Sequence, residues 1–229
     1  MLVTAMGNAQ ERQNTLNLGR NQESHGMLLE INPKNPQARL IDQVVKLLKG
    51  GAVICYPTDT GYGIGCDLFN QKAIKQIMQL KRRPHDKPFS FLCCDLTDIS
   101  QYAHVSNTAY RLMKKTLPGP YTLVLPGTKL VPKVMATKQK TVGIRVPSHP
   151  ISRMLIESLG NPIVNTSVML ADEETALAEP YLIDEYIGNR IDLVIDGGTI
   201  FPDPSTVVDL TSDYPEVLRV GKGDISPFR

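Results

Sequence analysis

Apolar and polar positions recur regularly enough to mark most elements of the chain. Leu28, Leu29 and Ile31 predict a short strand. Leu40, Ile41, Val44, Val45 and Leu48 then return at three-and-four spacing, the period of one helical face. Asn35-Pro36 predicts the start of that helix, as a cap followed by proline at the first helical position, and Gly50-Gly51 predicts its end. Ala52-Val53-Ile54-Cys55-Tyr56 is an unbroken apolar strand. It breaks into Pro57-Thr58-Asp59-Thr60 and then Gly61, Gly63 and Gly65, which predict a glycine-rich turn where the backbone bends or approaches something closely. Asn70 predicts the next helix cap, with Ala73, Ile74, Ile77, Met78 and the stem of Lys81 inward and Pro84 as the stop.

Farther along, residues 89–94, 121–125, 141–146, 163–168, 192–195, 206–210 and 216–220 read as strands. Ser106 opens a helix that ends at Pro118-Gly119-Pro120. His149-Pro150 opens another, closed by Gly160, and residues 180–187 form a third. Strands and helices interleave without the even beat of a βαβ series, and no internal repeat is present. The pattern predicts an α/β fold: one domain over residues 27–226, built on a mixed twisted sheet with flanking helices. Residues 1–26, rich in Asn, Gln and Glu and without periodicity, are expected to form a disordered tail, with Met27 as an alternative natural start.

Composition narrows the function classes. With 41% hydrophobic and 21% charged residues among 229, the chain has the balance of a soluble globular protein. A net charge of +2 is too mild to mark a nucleic-acid binder, so any basic site must be a local concentration. No apolar run reaches the roughly 18 residues of a membrane span, and no secretory pattern opens the chain, so a cytoplasmic protein is expected. Cys55, Cys66, Cys93 and Cys94 lack metal-ligand spacing and read as small buried hydrophobes, and no His pair suggests zinc.

Strand alternation sorts the polar residues by face. Thr141, Gly143 and Arg145 oppose Val142, Ile144 and Val146, leaving open space between a hydroxyl and a guanidinium. That arrangement suits a carboxylate or phosphate, or else Arg145 pairs with a surface acid. Asn165, Ser167 and Met169 oppose Val164, Thr166 and Val168; they line a polar pocket or face solvent. The glycines are no Walker loop, since no Gly-Lys-Ser/Thr follows, and the Rossmann spacing also fails. What remains is a pocket of hydroxyls ringed by Lys81, Arg83, Lys87 and Arg145, working by positioning and charge neutralisation rather than by a covalent nucleophile.

Several stretches in order resemble the YrdC/TsaC family, the L-threonylcarbamoyladenylate synthases of tRNA t6A modification. Residues 56–67, Tyr-Pro-Thr-Asp-Thr-Gly-Tyr-Gly-Ile-Gly-Cys-Asp, are similar to its Y-P-T-E-T-x-Y-G-L-G opening. Leu80-Lys81-Arg82-Arg83-Pro84 resembles K-x-R-P, Pro118-Gly119-Pro120-Tyr121-Thr122 resembles P-G-P-x-T, and residues 141–147 resemble T-V-x-x-R-x-P. Asn165-Thr166-Ser167 stands at the S-x-N strand, and residues 204–209 and 218–221 resemble S-T-V-x-D and L-R-x-G.

The resemblance implies a sheet with a basic concave surface and synthesis of threonylcarbamoyl-AMP and pyrophosphate from L-threonine, bicarbonate and ATP, with Mg2+ on the phosphates. It places Lys81, Arg83, Thr141, Ser167 and Arg219 on the ATP or adenylate phosphates, with Lys87 nearby and Lys81, Arg83 and Ser167 as the catalytic set. Thr60, Arg145, Asn165 and Ser205 fall on the threonine side, and no metal-ligating side chain is implied. Some members bind tRNA or double-stranded RNA through the basic surface, so a non-catalytic RNA-binding protein is the alternative. Three positions depart from the family pattern: Met169 for the S-x-N asparagine, Lys87 for an asparagine, and Leu92 for a histidine on the threonine side. Ser-x-Met-Leu at 167–170 is similar to the YciO branch.

Overall fold

The computed structural model describes residues 26–82, 89–135, 137–168 and 177–229. Residues 1–25, Arg83, Lys87 and Met169 therefore lie outside the described residues. The fold is a single α/β domain on a ten-stranded mixed sheet.

Strand β1 (Leu28–Glu30) leads into α1 (Ala38–Lys49). The helix starts later than Asn35-Pro36 predicts, because Asn32 and Gln37 tie that segment into a turn: Asn32 Oδ1 accepts from Lys34 N and Gln37 Oε1 accepts from Asn32 N. Next come β2 (Ile54–Thr58) and β3 (Gly61–Gly65), α2 (Gln71–Leu80) and β4 (Ser90–Leu92). The glycine segment is thus a strand, not a turn; Asp59 and Thr60 turn the hairpin. Helix α3 (Leu96–Tyr102), too short to declare a period, is set by its Asp95 cap on Asp98 N. Helix α4 (Asn107–Thr116), β5 (Tyr121–Pro126), β6 (Thr141–Arg145), α5 (Pro150–Leu159) and β7 (Ile163–Ser167) follow. The chain closes with α6 (Pro180–Ile187), β8 (Leu193–Asp196), β9 (Thr206–Asp209) and β10 (Glu216–Arg219). Asn70, Ser106 and Gly160 cap their helices as the sequence predicts.

Sheet order is β1-β8-β2-β3-β7-β4-β6-β5-β9-β10. β7 lies antiparallel to β3 on one side and to β4 on the other, joining the two halves. One face is covered by α1 and α5, whose Ile41, Val44, Leu48, Leu155 and Leu159 pack with Ile54, Tyr56, Leu92, Leu193 and Ile195. The other is covered by α2, α3, α4 and α6, packed on residues such as Val53, Ile64, Phe91, Leu123 and Ile144. The α1/α5 cluster does not extend onto β5, β6 or β9.

Cys55, Cys66 and Cys93 are buried and Cys94 is half-buried, all as free thiols. Desolvation raises the pKa of each thiol, which fits packing rather than reactivity. No helix among the described residues is long and apolar enough to cross a membrane.

Glycine at position 65 is a steric requirement. A Cβ there would lie 1.9 Å from the Val164 carbonyl oxygen, 2.9 Å from Tyr56 Cε1 and 3.0 Å from Ile163 Cγ2. Overpacking of this kind costs about 1–3 kcal/mol or more, and each kcal/mol moves the melting point of a chain this size by roughly 2–4 °C. Gly65→Ala is expected to lower Tm by about 3–10 °C in a thermal melt, whereas Lys49→Ala, on the exposed side of α1, should leave it within about 1–2 °C.

Candidate functional site

The uncovered part of the α1/α5 face is a cleft of about 750 Å3. Its walls come from strands distant in sequence. β2 and the β2–β3 turn bring Thr58 and Thr60, β6 brings Thr141, Gly143 and Arg145, and β7 brings Asn165 and Ser167. Ser205 and Arg219 close the far side from the two ends of the β9–β10 hairpin. Seven of the residues named from the sequence therefore meet in one cavity: Thr60, Thr141, Arg145, Asn165, Ser167, Ser205 and Arg219. Both Asn165 and Ser167 line the cleft, Asn165 buried and Ser167 exposed at its edge.

Hydrogen bonding determines what each group still offers. Thr58 Oγ1 donates to Gly61 O at 2.6 Å, so in its 3.2 Å contact with Thr60 Oγ1 the proton comes from Thr60. Thr60 then presents lone pairs, an acceptor for a ligand's hydroxyl or ammonium. Tyr56 Oη lies 3.0 Å from Asn165 Oδ1, which accepts and so orients the amide, with Nδ2 towards Ser90 Oγ at 3.4 Å. Ser205 Oγ is 2.7 Å from Thr122 Oγ1, and Arg219 donates to Ser205 O at 2.8 and 3.1 Å and to Ser205 Oγ at 3.2 Å. Thr141 Oγ1 is 2.8 Å from Thr137 Oγ1.

Lys81, the C-cap of α2, is buried, and its Nζ donates to Ser167 O at 2.8 Å. It thus stands against the β7 end of the cleft without lining it. Leu92 does not face the cleft either. It is fully buried in the α1/α5 cluster, so its exchange for a polar residue acts on the core first.

Arg145 bears out the pairing read from its sequence position, with one correction. It lines the cleft and it pairs with an acid, but that acid is not on the surface. Arg145 Nη2 lies 2.7 Å from Asp59 Oδ1, and the two side chains are 6% and 8% exposed. Burial pulls the guanidinium below its ordinary pKa, and the Asp59 carboxylate opposes that shift. Ser148 N and Oγ each donate to Asp59 Oδ2 at 3.3 Å, and Lys222 Nζ donates to the Asp59 carbonyl at 2.7 Å.

The sequence reading missed Asp59, Ser90, Thr122 and Thr137. Ser90 and Thr122 carry a signal in hindsight, because each alternates with buried apolar neighbours on its strand. Asp59 and Thr137 sit in irregular backbone, where no period assigns a face.

Glycine again makes room. A Cβ at Gly63 would fall 2.5 Å from Asn165 Oδ1. At Gly143 it would stand 3.3 Å from Thr122 Cγ2 and 3.4 Å from Ser90 Cβ. Among the described residues no group of three or more His, Cys, Asp or Glu is placed to hold a metal. The donors lining the cleft are hydroxyls, an amide and guanidinium groups.

Residues 46–221 match the model of the Sua5/YciO/YrdC family, described as "Telomere recombination". The uncharacterized protein YciO of Escherichia coli K12 is 45% identical over 199 residues, 86% of this chain and 97% of that one. The crystal structure of E. coli YciO superposes with a TM-score of 0.85 at 43% identity, covering 89% of this chain and 100% of that one. A threonylcarbamoyl-AMP synthase of Pyrococcus abyssi is 32% identical over 82% of this chain and 56% of its own length. P. abyssi Sua5, solved with L-threonine, has a TM-score of 0.80 at 30% identity over 85% of this chain and 57% of that one. With the family model spanning most of the domain and YciO similar almost end to end, the chain belongs to the Sua5/YciO/YrdC family.

Proposed function

We propose that the cleft binds ATP and L-threonine and that the chain carries out threonylcarbamoyl-AMP synthesis, at full or reduced efficiency, in tRNA t6A modification. The observation that carries this is the convergence of Thr60, Arg145, Asn165, Ser167, Ser205 and Arg219 on one cavity. Relatives named as synthase and solved with L-threonine support the same reading.

In the proposed reaction the amino nitrogen of threonine, having lost its ammonium proton, bonds to the carbon of bicarbonate as a carbamate, and water leaves. A carbamate oxygen attacks the α-phosphorus of ATP, and pyrophosphate leaves. Arg145 holds the amino-acid carboxylate, and Thr60 accepts from the threonine hydroxyl or ammonium. Lys81 and Arg219, with Arg83 and Lys87, neutralise phosphate charge, while Thr141 and Ser167 add hydroxyl contacts. Holding two reactants in register and compensating the charge that develops on the phosphate supply the acceleration. Mg2+ would be carried by the phosphates of ATP.

Wild-type protein supplied with labelled bicarbonate, threonine and ATP is expected to release pyrophosphate and form the adenylate. Losing a charge-assisted fork costs about 1.5–3 kcal/mol, so Arg145→Ala should weaken threonine use by roughly 10- to 150-fold while largely sparing nucleotide affinity. Product no higher than in that variant would overturn the catalytic reading. Calorimetry supplies a second check: threonine affinity should rise when AMP or ATP is present, and threonine binding indifferent to nucleotide would contradict a shared adenylate site.

One observation favours RNA as an additional or alternative ligand of this face. Between Asp98 and Glu157 the sequence has no acidic residue but holds Arg111, Lys114, Lys115, Lys129, Lys133, Lys138, Lys140, Arg145 and Arg153. Of these, Lys129, Lys133, Lys138 and Lys140 are exposed on the connection whose Thr137 lines the cleft. If about six phosphates are engaged, tRNA affinity should fall by on the order of 10^3-fold between 50 and 200 mM salt. Absent or salt-insensitive tRNA binding would exclude this reading.

A further inference from the structure

The Arg145–Asp59 pair bears on which anion the cleft accepts, an inference that rests on the amino-acid reading above. Arg145 Nη2 is bonded to Asp59, yet its buried Nε has no partner among the described residues. An unpaired, desolvated N–H is rare in a folded chain, so the hydrogen bonding of Arg145 is not completed by the described residues. Arg219 lines the same cleft and lies close enough for its charge to act on Arg145.

Two guanidinium groups alone would make the site attract the most highly charged anion present, which beside a nucleotide means phosphate or pyrophosphate. Asp59 alters that balance. Its carboxylate is buried and directed at Arg145 by the backbone and hydroxyl of Ser148. Its backbone carbonyl is fastened by Lys222, so the C-terminal segment holds the β2–β3 turn in place.

We propose that Asp59 is a specificity-determining and positioning residue: it cancels one charge beside Arg145, so that this subsite accepts a singly charged carboxylate and rejects phosphate. Attraction to the two guanidinium groups and repulsion from Asp59 both scale with ligand charge, so Asp59 removes twice as much of a dianion's attraction as of a monoanion's. Asp59 also occupies Nη2, so the guanidinium does not offer its full set of donors to a ligand. Carboxylate and phosphate then separate into different ends of one cleft, as an enzyme joining an amino acid to a nucleotide requires.

The test measures L-threonine and inorganic phosphate separately, by calorimetry with AMP present, on wild type, Asp59→Asn, Asp59→Glu and Asp59→Asn/Arg145→Ala. Thermal melts and far-UV circular dichroism establish that each variant is folded. Asp59→Asn is expected to gain roughly tenfold or more in phosphate affinity, with phosphate now competing against threonine. The double variant should lose that gain, and Asp59→Glu should restore the wild-type preference; a merely structural role for Asp59 would not invert selectivity. Should Asp59→Asn fail to fold, Ser148→Ala, which removes one of the two bonds directing the carboxylate, should shift the preference the same way by a smaller factor. Unchanged phosphate affinity in the folded Asp59→Asn protein, or in Ser148→Ala if that is the variant used, overturns the proposal. If phosphate affinity rises through Arg145 while wild type binds no threonine, the charge filter stands and the amino-acid reading fails.

Discussion

Strand β3 carries glycine at every position of one face, and the molecule depends on the close contact this allows with β7. Gly65 lies where a single added carbon would meet the Val164 carbonyl, and Gly63 where it would meet the Asn165 amide. Because β7 pairs with β3 on one side and β4 on the other, this contact joins the two halves of the ten-stranded sheet. Side chains at those positions would hold the halves apart, and residues from β2, β6 and β9 would no longer face one another. The glycines thus act through packing rather than through phosphate binding.

The cleft exists because the helices are unevenly distributed. α1 and α5 bury the sheet face over β1, β8 and β2 and over Leu92 of β4 and Ile163 of β7, while the cleft on the rest of that face is lined largely by threonine, serine, asparagine and arginine. Its small hydroxyl residues leave volume, and its two guanidinium groups supply charge. Nearly every polar group in it is oriented by another: Thr58 orients Thr60, Tyr56 orients Asn165, and Thr122 and Arg219 hold Ser205. Ordering paid for during folding leaves less to be paid when ligand binds.

Electrostatics in the cleft is a matter of pairing more than of total charge. The chain as a whole is nearly neutral, yet the stretch from Ile99 to Ile156 is wholly without acid. The compensating carboxylate at Arg145 comes from outside that stretch, at the tip of the β2–β3 hairpin. Desolvation makes such a pair sensitive to either partner's removal, since the survivor is left as a buried, uncompensated charge.

Periodicity and capping residues specified the α/β class, nearly all the strands, five of the six helices and several of the helix caps, because hydrophobic spacing and capping are local properties. The family motifs marked Thr60, Thr141, Arg145, Asn165, Ser167, Ser205 and Arg219 as chemically important, and alternation grouped some of them by face. Local pattern misread Gly61–Gly65 as a turn, since glycine's freedom and its small size leave the same trace in a sequence. It passed over α3, too short for a period, and placed the start of α1 too early. What only the tertiary structure decided was partnership: that Arg145 answers to Asp59, that Lys81 reaches the Ser167 carbonyl, and that Leu92 belongs to the core. Those contacts join residues from separate elements, and only the packing of the sheet brings them together.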